Sequence, residues 1–173
     1  MSYCNLLNSI NLGSGYFEEY NVSFSPLITN ITTFAEVKKL VAANCSNLEK
    51  ISLQKVQNII LNNCPQLTEI KILELGKDAT DNPIEAVNCP NIKTLYLGYQ
   101  YPSFDASPFT NLEDLTLMSF SIFPSDPTYN EDLQNLIIDN NSNLKTLSID
   151  NYKKLHQLNI NGPAKLESVY YSM

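Results

Sequence analysis

Apolar and polar residues alternate along most of the chain in one short unit, apolar-x-x-apolar-x-apolar. It occurs as Leu48/Ile51/Leu53, Leu67/Ile70/Ile72, Ile92/Leu95/Leu97, Leu112/Leu115/Leu117, Leu133/Leu136/Ile138 and Leu155/Leu158/Ile160. The starts are separated by 19, 25, 20, 21 and 22 residues, and a mean step of about 21 belongs to solenoids built by stacking one structural unit. Extrapolated backwards, Leu7/Ile10/Leu12 fits well and the segment around Ile28/Ile31 fits weakly, so about eight turns fill the chain. In an extended segment successive side chains alternate faces, which sends positions +3 and +5 of each unit inward and +2 and +4 to solvent. The predicted elements are therefore strands.

A half-period series appears near the C-terminus, where Leu133, Leu144, Leu155 and Leu166 follow at a spacing of 11. The interleaved units Leu144/Leu147/Ile149 and Leu166/Val169/Tyr171 are expected on the opposite side of the coil, with Val56/Ile59/Leu61 as an earlier member. A helix needs apolar residues at i, i+3, i+4 and i+7 over a longer window, and the polar clusters between units interrupt that pattern. Only residues 31–43 satisfy it. There Thr33 and Glu36 have capping-box spacing and Phe34, Val37, Leu40 and Val41 share one helical face, which predicts one short helix. The chain reads as a single domain, 1–173, with N-terminal coils or a cap over 1–43 and regular repeats over 44–173.

The motifs NLEKISL, QLTEIKI, NIKTLYL, NLEDLTL, DLQNLII and KLHQLNI resemble those of leucine-rich-repeat proteins, over most of residues 44–171. The resemblance implies a right-handed solenoid with a parallel sheet on its concave wall and a ligand-binding role. The family's Asn three residues after the last template leucine is mostly missing: positions 56, 75, 100 and 120 are Val, Leu, Gln and Phe, and Asn141 is the exception. The 11-residue steps also match two-walled short repeats better than horseshoes with helical backs. The expected fold is thus a β-rich solenoid, a straight, flattened, leucine-rich-repeat-like right-handed coil. A parallel sheet forms one wall and irregular or short strands the other.

Composition narrows the functional classes. The 173 residues carry 43% hydrophobic positions, enough for one core. Eleven Lys plus Arg against eighteen Asp plus Glu leave a net charge of −7, which opposes the phosphate neutralisation that drives nucleic-acid affinity. No apolar run approaches the roughly 20 residues of a spanning helix, so no membrane insertion is expected. The first residues, MSYCNLLNSINLGSG, lack a basic start and a continuous apolar stretch, so no signal peptide is read. That leaves a cytoplasmic or assembly-associated protein or an excised domain.

Cys4, Cys45, Cys64 and Cys89 invite disulfide, metal and nucleophile readings. Each lies three residues before a template residue, respectively Leu7, Leu48, Leu67 and Ile92. One repeat position used four times marks core cysteines at the corner where a coil enters its strand. Asn44, Asn63 and Asn88 precede three of them, and Asn140 and Asn151 share the same offset from Leu144 and Leu155. Asparagine tolerates left-handed backbone and bonds its own turn, so these residues are expected to form a ladder along one corner.

No catalytic constellation emerges. His156, the only histidine, has no serine elbow around it and reads as a surface residue. Gly13 and Gly15 lack the third glycine and lysine of a phosphate loop. Glu18-Glu19, Glu113-Asp114 and Glu131-Asp132 are adjacent in sequence, which sends each pair to opposite faces of an extended segment. No cofactor or metal is expected, and the chain is read as a non-enzyme.

The candidate binding surface lies on the outward columns of the sheet. Most outward positions are polar, but Tyr96 and Ile137 at +4, with Leu73 and Met118 at +6, place apolar groups on one exposed wall beside Lys71 and Thr116. The segments YPSFDASPF and FSIFPSDPTY read as inserted loops that either cap the back wall with aromatic rings or present a specificity surface. Two functions are expected. One is a non-catalytic module recognising a protein or glycan through the wall or the loops. The other is a structural subunit of a larger assembly, such as a virion or surface component, which uses the solenoid as scaffold. The last unit, Leu166/Val169/Tyr171, has no polar capping segment after it in this sequence, which predicts coverage of that end by a partner or a second copy.

Overall fold

A computed structural model describes residues 8–75, 83–98, 103–118, 135–150, 155–162 and 165–172. Thirteen strands account for most of them: β1 (Ser9–Leu12), β2 (Tyr16–Asn21), β3 (Asn30–Ala43), β4 (Lys50–Asn62), β5 (Glu69–Leu75), β6 (Ile84–Val87), β7 (Thr94–Gly98), β8 (Ser103–Asp105), β9 (Asp114–Met118), β10 (Asn135–Asp139), β11 (Thr146–Asp150), β12 (Gln157–Asn161) and β13 (Ser168–Ser172). Among the described residues there is no helix. All pairings are parallel, and the chain is a parallel β-solenoid.

The front wall runs β1-β3-β4-β5-β7-β9-β11-β13. The back wall is formed by β2, the second halves of β3 and β4, and β6, and in later turns by the three-stranded sheet β8-β10-β12. Front and back strands alternate along the chain through six complete turns, from β3 to β12. Between the walls lies one continuous apolar core. Its front columns are Ile31, Ile51, Ile70, Leu95, Leu115 and Leu147 at +3, and Leu53, Ile72, Leu97, Leu117 and Ile149 at +5, all essentially inaccessible.

The corners explain how a repeated sequence makes a repeated turn. Asn44, Asn63, Asn88 and Asn140 have φ of 55–60°, the left-handed region that asparagine tolerates. Asn63 Nδ2 donates to Asn44 Oδ1 at 3.1 Å, and Asn88 Nδ2 to Asn63 Oδ1 at 2.9 Å. The expected corner ladder is present over these three turns, while Asn151 lies outside the described residues. One residue on, Cys45, Cys64 and Cys89 are buried free thiols, and Cys4 lies outside the described residues. They do more than fill space: Cys45 Sγ donates to Val22 O (3.2 Å) and Cys64 Sγ to Ala42 O (3.4 Å), each in the preceding turn.

Three expectations are corrected. Residues 31–43 form no helix but belong to the 14-residue strand β3. Its burial alternates with period 2 over 30–37 and, after the two outward residues Lys38 and Lys39, again over 40–43, Phe34 standing 64% exposed while Ala35, Val37 and Leu40 are fully buried. Thr33 Oγ1 does not cap a helix; it accepts the Ala35 N–H at 2.8 Å, beside the break in register between Thr33 and Glu36. β-Branched residues at 31, 32, 33, 37 and 41 favour that extended outcome.

The stacking column is also reassigned. Leu48, Leu67, Ile92 and Leu112 are followed on the front wall by the units of Leu144 and Leu166, because β9 pairs with β11 and β11 with β13. The units of Leu133 and Leu155 supply β10 and β12 of the back wall. Of these two leucines, Leu155 is half-buried and Leu133 lies outside the described residues.

Finally, the segment read as the loop 102–109 is largely a back-wall strand and corner. Phe104 and Phe109 are core residues at 5% exposure. The segment 120–129 lies outside the described residues.

Candidate functional site

In-register pairing builds the outward face of the front wall. The +4 column reads Asn11, Thr32, Ser52, Lys71, Tyr96, Thr116, Ser148 and Tyr170, each residue opposite the next on neighbouring strands. Five of the six candidate residues come together there, on β5, β7 and β9. The Lys71 ammonium lies 5.1 Å from the centroid of the Tyr96 ring, within cation–π reach. On the opposite side the Tyr96 hydroxyl donates to Met118 Sδ at 3.5 Å. Thr116 is the register partner of Tyr96, and Leu73 extends β5 past Ile72 on the same strand. Tyr96, Thr116, Met118 and Leu73 are half-buried and Lys71 is exposed.

Gly98 makes this arrangement fit. It ends β7 opposite Met118, and a Cβ at this position would overlap the Leu73 carbonyl. The glycine is needed for close approach of two backbones, not for an unusual φ.

Ile137 does not belong to this group. It is the central outward residue of β10, paired with Asp105 and Asn159 on the back wall, and is 37% exposed there. The sequence reading put it beside Tyr96 because units on the two walls share one template.

Charge surrounds the patch in an ordered way that the sequence reading missed. Lys55 bridges Glu36 (3.6 Å) and Glu74 (3.1 Å) across three turns, and Lys50 pairs with Glu69 at 2.9 Å. Burial alone pulls the Lys55 pKa down, but its two carboxylate partners outweigh this and raise it. Glu113 sits between Lys145, with which it is hydrogen-bonded, and Lys93 at 3.0 Å. These two ammonium groups, Lys145 foremost, hold the Glu113 carboxyl at about 2. Lys71 forms no salt bridge among the described residues; its cation is committed to the aromatic ring. Reading aligned units vertically, one column at a time, is the sequence signal that reveals these alternations.

The chemistry available elsewhere is limited. Among the described residues, no three His, Cys, Asp or Glu side chains converge as a metal site requires. The neighbouring Cys45 and Cys89 thiols, together with burial, push the Cys64 thiol well above the usual thiol range, while the same coupling pulls Cys45 and Cys89 down to about 7. A thiol held protonated inside the core is a poor nucleophile. His156 is exposed, at the C-terminal end of the solenoid.

The chain was compared with family models, curated proteins and solved structures. It matches none of them. Its functional reading therefore rests on the surface just described.

Proposed function

We propose that this protein is a non-catalytic interaction module of leucine-rich-repeat type, which recognises a protein or glycan partner through the front wall around Tyr96. The repeat type is supported by the apolar-x-x-apolar-x-apolar units on stacked parallel strands about 21 residues apart. The observation that carries the binding role is the run Lys71–Tyr96–Met118. Three long side chains touch in sequence across three turns of a wall whose other outward positions are mostly Ser, Thr and Asn. Such a cluster on rigid strands, an aromatic with a cation on one side and a thioether on the other, has the composition that dominates recognition surfaces. The buried Phe104 and Phe109 leave segment 103–109 little to offer a partner.

A second reading, a structural subunit of a larger assembly such as a virion or surface component, is favoured by the cross-turn ladders of asparagine and charge, which suit a stiff rod. A photocrosslinking amino acid placed at Tyr96, with the same probe at Ile137 as control, distinguishes the surfaces. A specific adduct from position 96 alone is expected. Adducts from neither position, or from 137 alone, would overturn the front-wall reading.

A further inference from the structure

Cys45, Cys64 and Cys89 follow the ends of β3, β4 and β6, at one corner of three successive turns. Register carries through that corner. Ala43 is opposite Asn62 and Asn62 opposite Val87, and the side chains of Asn44, Asn63 and Asn88 are hydrogen-bonded from each turn to the next. The three sulfurs therefore stack along the solenoid axis at the strand spacing, about 4.8 Å per turn. All three are buried, yet Asn63 and Pro65 on either side of Cys64 are exposed, so only the thickness of the corner separates that thiol from water.

Spacing decides what such a column can hold. Structural zinc takes four ligands in a tetrahedron, and three thiols in a line do not converge in that way. A linear, two-coordinate ion needs only two sulfurs along one axis. Two metal–thiolate bonds of about 2.3 Å, end to end, span about 4.6 Å, close to the separation of adjacent turns. Cys64 has such a neighbour on each side. The corner also supplies what a buried thiolate requires: the backbone N–H groups of Ser25 and Phe24 favour the Cys45 thiolate, that of Cys45 the Cys64 thiolate, and that of Cys64 the Cys89 thiolate.

We propose that the column Cys45–Cys64–Cys89 is a binding site for a soft monovalent cation of the copper(I) class, held in linear coordination between Cys64 and an adjacent cysteine sulfur. Thiolate ligands select such ions over hard cations. Each ligating sulfur releases its proton to water and forms one bond to the ion, whose oxidation state does not change. The Sγ–H bonds to Val22 O and Ala42 O are given up in exchange. This site lies at a corner and does not depend on the front-wall patch.

The test titrates the full chain, reduced and under anaerobic conditions, with copper(I) delivered from a competing chromophoric chelator. A monomeric complex with a thiolate-to-copper ultraviolet band and two sulfur neighbours in copper X-ray absorption is expected. Cys64→Ser leaves Cys4, Cys45 and Cys89 but no adjacent pair among the three turns, and should weaken binding at least tenfold. Cys45→Ser and Cys89→Ser each leave one adjacent pair and should bind within threefold of the parent. Serine suits the corner, because buried Ser25 holds the same place one turn earlier, and circular dichroism checks that each variant is folded. If Cys64→Ser does not fold, the double variant Cys45→Ser with Cys89→Ser, which keeps Cys64 without a neighbour, must lose binding instead. Parent-like binding by Cys64→Ser or by the double variant overturns the proposal. So do equal losses in all three single variants, coordination by three or more ligands, or copper that binds only as a bridge between two chains.

Discussion

Asn141 offers the sharpest test of how the corners work. It occupies the place that Ser25, Cys45, Cys64 and Phe109 hold in other turns: in each case the carbonyl of this residue accepts the N–H three residues on, at 3.0–3.2 Å. The Asn141 side chain is fully buried, and its amide donates to Ala106 O at 3.0 Å and Phe109 O at 2.8 Å. Both carbonyls keep a turn bond of 3.0 Å when that amide is removed, from Phe109 N and Leu112 N. The loss is then two net hydrogen bonds, about 1–3 kcal/mol for Asn141→Ala. The Asn141 Oδ1 has no partner, and its removal offsets part of this. Asn141→Cys should cost less, about 1 kcal/mol, because a thiol at this corner still donates to a preceding carbonyl, as Cys45 and Cys64 do. Asn141→Asp turns a donor toward two carbonyls into an uncompensated carboxylate and should cost about 3–5 kcal/mol at neutral pH. Burial raises that carboxyl's pKa, so the folded state binds more protons than the unfolded one. The Asp variant's deficit should therefore shrink as pH falls toward about 5. Urea midpoints followed by circular dichroism at the two pH values measure both effects. Equal midpoints for the Cys and Asp variants, or an Asp deficit independent of pH, would refute the corner argument.

Leu115→Asp should unfold the protein, whereas Thr116→Asp, one residue along and facing outward, should shift the urea midpoint by less than the equivalent of about 1 kcal/mol; equal effects contradict the register. Gly98→Ala should cost about 1–3 kcal/mol through overlap with the Leu73 carbonyl, and a neutral outcome in thermal melts would show that the β5–β7 approach is looser. The Glu113 carboxyl, held down by Lys145 and Lys93, contributes stability above the ordinary carboxylate range that is lost as pH falls through about 2. Its titration by nuclear magnetic resonance should show that low midpoint, and Lys145→Met should raise it; an ordinary glutamate midpoint in the parent protein would falsify the ion-pair ladder.

The solenoid was legible because its core obeys a simple rule: an inward position repeats about every 21 residues and alternates with outward ones. The corner asparagines were legible for the same reason, since left-handed backbone restricts residue choice at one offset. What the pattern left open was the wall to which each unit belongs. After Leu112 the unit of Leu133 continues the even spacing, yet the front wall resumes at Leu144, 32 residues on by the register of Asp114 with Thr146. Both walls are in-register parallel strands, so apolar periodicity is the same on each and cannot tell them apart. Ile137 moved away from Tyr96 through that one ambiguity. Residues 31–43 misled differently, because Phe34, Val37, Leu40 and Val41 satisfy a helical spacing as readily as a strand with a register break after Thr33.

The same degeneracy is a problem the molecule itself must solve. An apolar core of near-identical turns offers little to prevent one turn from stacking on the wrong neighbour, since Leu on Leu is as favourable one turn away. The charges discriminate. Glu36, Lys55 and Glu74 alternate in sign along one column, as do Lys93, Glu113 and Lys145 along another, and Glu18 and Glu19 meet Lys38 and Lys39. Each exposed pair stabilises the native state only slightly, because water and salt screen it. A slip of one turn, however, turns the attractions of the two alternating columns into repulsions, setting Lys93 beside Lys145 and Glu36 beside Glu74, and leaves Glu19 opposite the neutral Asn58. The difference between correct and slipped stacking is therefore larger than the stability any single pair contributes, and it grows with every pair in the column. Such side chains are spent on order along the solenoid axis. Lys71 differs from these residues: its cation meets the next turn through the Tyr96 ring rather than through an ion pair.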